Sequence, residues 1–239
     1  MTGRRWAILI AIAQFAFIAR QPTLSLQTKR TPFTIPRIDI LYPPYGTIFD
    51  RTCSQFLKGE EISSEWIAEA GRLRPTLQQE WQNEGPKYLS VVIEQIGLSF
   101  PYQEMQAVLT VCPVNTMSMP LMINIRSHLS AARDNPPEGD FAEKVFHELM
   151  HHYVEAVHDS SVMRKKYANE PAVVINHLHV MALEKLALLR LGKSDEMKYL
   201  DQLYRTDPSP SYYKRAWEIV NDIEGYEIFV NELKTAPNR

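Results

Sequence analysis

Residues 147–151 read His-Glu-Leu-Met-His, an HExxH pattern, and they sit in a chain whose histidines are unevenly distributed. Of the seven histidines, six lie within the 33 residues from His147 to His179, and the other is His128. At about 100° per residue, imidazoles at i and i+4 project from one face of a helix, one turn apart. Two such rings can both reach a single Zn²⁺ at about 2.0–2.1 Å. Glu148 projects beside them and can take a proton from water that the metal activates. The residue types and their spacing therefore point to metal-assisted hydrolysis, with His147 and His151 as metal ligands and Glu148 as general base.

That chemistry requires a helix. Asp140 with Glu143 reads as a capping-box start. Phe141, Val145, Leu149, Tyr153 and Ala156 then form an apolar stripe, while His147, His151, Glu155 and His158 share the polar face. His158 is seven residues past His151, about 10 Å along the axis, too far to join the same ion. A second helix over residues 171–191 carries His177 and Glu184 on one face, also about 10 Å apart. If it returns antiparallel to the HExxH helix, His177 comes level with His147 and His151. His177 and Glu184 are thus candidates for the third ligand that a catalytic site needs. A His177 that is not a ligand could instead donate a hydrogen bond to a developing oxyanion.

The region around residues 140–190 resembles the gluzincin group of zincin metallopeptidases, in which HExxH is followed some 18–20 residues later by a glutamate, often after asparagine. Here 18 residues separate His151 from Glu170, and Asn169-Glu170 matches that dipeptide. The resemblance implies His147, His151 and Glu170 as ligands of Zn²⁺, Glu148 as general base, and a peptide or protein substrate. Pro171 departs from the pattern, because a residue before proline is pushed out of the helical region. The resemblance also implies that a strand just upstream of the HExxH helix borders the cleft and pairs with extended substrate through its free edge. Residues 119–126 are the segment in that position.

Elsewhere the pattern is mixed. Gln106–Cys112 and Met119–Arg126 read as strands, and Arg37 and Asp39 alternate with Ile38 and Ile40 in a third, shorter one. Ser63 is a candidate N-cap for a helix that Pro75 breaks or kinks and Gly85-Pro86 punctuates again. From Asp140 to about Leu233 the chain reads as almost entirely helical. The expected fold class is α+β, a mainly helical zincin-like domain with a small sheet beside the HExxH helix.

The chain has 239 residues, 26 basic and 28 acidic, for a formal net charge of −2. This suits a single domain and excludes the strongly basic balance of a nucleic-acid binder. Arg4-Arg5 followed by the almost wholly apolar Trp6–Ala19 reads as a secretory signal or an uncleaved signal anchor. The expected organisation is residues 1–19 as that segment, 20–46 as a proline-rich lead-in and 47–239 as one metallopeptidase-like domain. The expected location is periplasmic or secreted, with membrane contact only through an uncleaved anchor. Cys53 and Cys112 could pair in an oxidising compartment or stand as buried thiols. The alternative to the enzyme is an exported, non-catalytic protein whose zinc site is structural or degenerate and which acts by binding a partner. A closed, four-ligand site would favour that alternative.

Overall fold

The structure, a computed structural model, describes residues 33–56, 62–132, 136–206 and 212–235. The expected signal segment, residues 1–19, lies outside the described residues. Element order is β1 (Arg37–Leu41), α1 (Pro44–Phe56), α2 (Ser64–Ile96), β2 (Glu104–Thr110), β3 (Met122–Asn124), α3 (Asp140–Val154), α4 (Val162–Lys166), α5 (Ala172–Arg190), α6 (Ser194–Thr206), α7 (Tyr212–Glu218) and α8 (Tyr226–Thr235). A π-helical turn, Ile219–Ile223, extends α7. The domain is α+β and mainly helical.

The three strands lie in the order β1-β2-β3, all parallel, with Ile40 opposite Ala107 and Leu109 opposite Ile123. Ile38 and Ile40 face the core while Arg37 and Asp39 point outward, the two-residue alternation of a half-buried strand. Parallel pairing of β1 with β2 needs a crossover, which α1 and α2 supply. A disulfide between Cys53 of α1 and Cys112, just beyond β2, ties that crossover to the sheet. Asp50, one turn before Cys53, is fully buried and accepts hydrogen bonds from the Tyr42 hydroxyl (2.7 Å), the Thr110 hydroxyl and the Val111 and Cys112 amides. Four donors on one carboxylate fix the corner where the chain leaves β2.

α2 departs from the expected broken helix. It runs unbroken for 33 residues, with Pro75 and Pro86 inside it. Each proline removes one backbone donor, but Leu77, Trp81, Tyr88, Leu89, Val92, Ile93 and Ile96 all remain on the buried side. Tertiary burial of that long stripe outweighs two local breakers. Gly85 is required there, because a Cβ would lie 2.4 Å from the Trp81 ring. Ser63 caps the helix as expected, accepting from the Trp66 amide at 3.2 Å.

α5 runs through the middle of the helical layer and packs against α2, α3, α6, α7 and α8. It is long and apolar enough by length and composition to cross a membrane, but most of it is buried inside this fold. A helix covered on nearly all sides is apolar nearly all round. The polar residues it does bury, His177, His179 and Glu184, therefore need partners in the interior.

Candidate metal centre

α3 presents its apolar stripe to the core as expected: Phe141, Val145 and Leu149 are fully buried and Tyr153 nearly so. Its start differs from the expected capping box. Gly139 occupies the N-cap with φ 91°, and no side chain caps from within the helix. Instead Glu80 of α2 accepts the Ala142 amide at 3.1 Å. Asp140 is drawn into an ion pair with Lys144 (2.5 Å) and lies 3.2 Å from His128 Nε2. Glu143 turns inward towards Glu184 of α5.

The stripe leaves His147, Glu148 and His151 on the side that meets α5. Glu143 and His147 face Glu184, and His151 faces His177, so α3 and α5 run antiparallel. The imidazole rings of His147, His151 and His177 stand 4.7–5.2 Å apart between centroids. One ligand nitrogen from each lies within 4.8 Å of the others, a cluster able to hold a divalent ion such as Zn²⁺. Tetrahedral bonds of about 2.1 Å place ligand nitrogens about 3.4 Å apart, so the rings would close by at most about 1.4 Å around an ion.

The donor chemistry fits an ion as well. His177 donates from Nδ1 to the Val173 carbonyl at 2.7 Å, which leaves Nε2 with its lone pair. His147 directs Nδ1 at Glu184 Oε1, 2.6 Å away. Burial, then the neighbouring His147, pushes His151 down to about 2 and His177 down to about 3. Both rings are therefore neutral at physiological pH, the state in which imidazole binds metal.

Around these rings lies a set of buried acids. Glu184 is closed off from solvent and accepts the Tyr204 hydroxyl at 3.1 Å as well as facing His147. Burial pushes the carboxyls of both Glu143 and Glu184 upward, and the nearby Glu184 adds to the shift at Glu143. Burial also pushes Glu148 up to about 7, opposed by His147 and assisted by Glu184 and Glu143. A cavity of about 260 Å³ opens beside His147 and Glu148. Its other walls are Asn115 and Thr116 from the β2–β3 connection, Leu200, Leu203 and Tyr204 of α6, and Tyr213 of α7. The Tyr213 ring meets the His177 ring edge-on at 4.5 Å.

Glu170 is not part of the cluster, and the third histidine takes the place that the gluzincin pattern gives to glutamate. The carboxylate accepts from Arg215 Nε (2.9 Å) and Nη2 (2.8 Å), anchoring α7 instead. Pro171 is the N-cap of α5, so Glu170 lies in the turn before the helix and is carried away from α3. Glu184, the other candidate ligand, holds His147 from behind. The outer edge of β3 also differs from expectation. Met117 and Met122 exchange two backbone hydrogen bonds of 2.9 Å, and Asn124 Nδ2 donates to the Cys112 (3.0 Å) and Val114 (2.6 Å) carbonyls. The returning connection fills the edge expected to be free, and it is Asn115 and Thr116 that face the cavity.

Two of the remaining histidines serve as ties. His152 donates to the Ser118 carbonyl at 2.8 Å, and His179 bonds Glu232 of α8 at 2.7 Å. The sequence does not single out Tyr204 and Tyr213, and it offers Glu143 only as a capping-box residue. Glu143 had a readable signal, since it lies one turn before His147 on the same helix face. The two tyrosines come from separate helices and carry no spacing that links them to the motif. Comparison with known protein families, curated proteins and solved structures finds no match for this chain.

Proposed function

We propose that this chain is a zinc-dependent hydrolase that cleaves peptide bonds outside the cytoplasm. The observation that carries the reading is the convergence of His147, His151 and His177 from two helices beside Glu148 and an open cavity. His147, His151 and His177 would hold a zinc ion, which would supply Lewis acidity towards water and a carbonyl. Three protein ligands with space beside them are the pattern of a catalytic rather than a closed structural site.

The chain's own groups have separable roles. Glu148 adjoins the ligand His147 and is not itself in the cluster, so it is free to act as base. Burial raises it towards neutrality, which suits a group that takes a proton from water and returns it to the leaving amine. Glu184 holds Nδ1 of His147 and would leave Nε2 to hold an ion. With His177 serving as a ligand, Tyr213 is the side chain placed against the cluster that can donate to a developing oxyanion. The export part of the proposal is supported by the Arg4-Arg5 and Trp6–Ala19 pattern and by the Cys53–Cys112 disulfide.

The test combines metal analysis with a broad peptide library. Wild type is expected to bind about one zinc and to cleave a subset of peptides. Glu148→Gln is expected to keep the metal and lose cleavage. Identical behaviour of wild type and Glu148→Gln on the library overturns the hydrolase reading.

A further inference from the structure

We infer that the cavity beside Glu148 is a specificity pocket for one uncharged, apolar side chain next to the scissile bond, with Leu200 and Leu203 of α6 setting that preference. This rests on the hydrolase reading of the metal centre and adds the substrate class to it.

The pocket is built by two helix faces in register. α3 contributes positions 140, 143, 144, 147 and 148, spaced by three and four, and α6 answers with Leu200, Leu203 and Tyr204. From His147 the pocket follows α3 back towards Asp140, about 10 Å at 1.5 Å per residue. Its volume of about 260 Å³ is below the roughly 300–1,000 Å³ of pockets that enclose a whole drug-sized ligand. A single side chain fits that space while the reacting bond stays at Glu148 and the histidine cluster.

Charge and apolarity then decide what enters. Leu203 is 38% exposed and lines the pocket. Leu200, one turn earlier, is buried beneath it. Two of the ionic groups along the pocket, Asp140 and Lys144, are already engaged with each other. Asp140 is paired with Lys144 and lies 3.2 Å from His128 Nε2, and Lys144 also donates to the Ser127 hydroxyl at 2.9 Å. A charged side chain entering here gives up its hydration and meets a counter-charge already committed elsewhere. An apolar one gains burial against two leucines and two tyrosine rings. Area burial of one leucine-sized side chain corresponds to roughly 10- to 100-fold in affinity.

The experiment uses hydroxamates, which bind zinc and carry a chosen side chain, titrated into the zinc-loaded full-length chain. The probes are acetohydroxamate and the N-acetylated hydroxamates of leucine, phenylalanine, aspartate and lysine. The leucine and phenylalanine probes are expected to bind about 10-fold or more tighter than acetohydroxamate, and the aspartate and lysine probes to show no such gain. In Leu203→Glu the leucine-to-aceto affinity ratio should fall towards one and the lysine probe should improve. Leu203→Ser gives the same loss without an added charge. Equal affinities for all five probes, zero included, overturn the proposal, as does a leucine gain that survives both variants. Selective binding by a chain that cleaves no peptide refutes the hydrolase reading and leaves the pocket preference standing. Peptide cleavage indifferent to the flanking side chain does the reverse.

Discussion

Removing the Glu184 carboxylate tests whether the metal centre is held from behind. The His147 Nδ1 to Glu184 Oε1 distance is 2.6 Å, and the Glu184 side chain is fully enclosed. A buried, charge-assisted bond of that length both fixes the ring's orientation and raises the basicity of the opposite nitrogen. Loss of such a group costs about 10- to 100-fold in metal affinity, or about 1.4–2.7 kcal/mol. Glu184→Gln keeps the shape and an oxygen able to accept from Nδ1, so it should fall near the lower figure. Glu184→Ala removes the acceptor altogether and should approach the upper one. Tyr204→Phe is a useful gauge, because the hydroxyl lies 3.4 Å from His147 Nδ1 and acts mainly through Glu184. It should lose less than Glu184→Gln. The assay is zinc competition against a colorimetric chelator, with circular dichroism to confirm that each variant is folded. Folded Glu184→Gln and Glu184→Ala chains that bind zinc as tightly as wild type would falsify the claim that this carboxylate positions the ligand.

The contrast between Glu170 and His177 follows from where each one sits. Glu170→Ala should retain wild-type zinc affinity and lose no more than about 1 kcal/mol of stability, since its pair with Arg215 is partly exposed. His177→Ala should lose zinc far more severely than either Glu184 variant; the reverse order in chelator competition rejects the three-histidine assignment. Acid sensitivity centres on Glu232. Burial works against its ionised form, but bonds from His179, Ser161 and the Val162 amide hold its carboxyl down at about 2. Its folded pKa lies below the ordinary value, so its contribution is fully present above about pH 4.5 and is lost as pH falls towards 2. Urea unfolding at pH 5 and pH 3 should therefore show a smaller drop for Glu232→Gln than for wild type, and equal drops count against the argument.

The HExxH helix was legible because its evidence is local. An i, i+4 histidine pair opposite an apolar stripe depends on helix geometry alone, and the structure places those residues as that geometry requires. The third ligand depends on how far the chain travels before it returns. Between α3 and α5 the chain makes a detour through α4 and a turn, and its length does not report which residue comes back to the metal. Glu170 matched a spacing, whereas His177 matched a direction, the antiparallel return of the next long helix. The proline after Glu170 was the local sign that spacing would mislead, since it ends one conformation before another begins. The continuity of α2 was hidden for the opposite reason. Pro75 and Pro86 are strong local signals, overridden by a buried stripe whose partners lie elsewhere in the chain. The pairing of Cys53 with Cys112 was left open because it requires α1 and the end of β2 to be neighbours, which only the parallel crossover makes them.

Because His147 and His151 belong to α3 and His177 to α5, an ion bound by all three also fastens those helices to each other. Such an ion binds the docked arrangement and has little affinity for the separated helices, so its chemical potential becomes part of the protein's stability. At a free concentration about 100 times the dissociation constant the gain is about 2.7 kcal/mol. Without the ion, the α3–α5 interface holds three imidazoles and a cluster of carboxyl groups facing one another, and packing alone must keep them there. The surrounding zinc level would then govern how much of the chain survives proteolysis and heat, so a compartment poor in zinc would lose the protein itself.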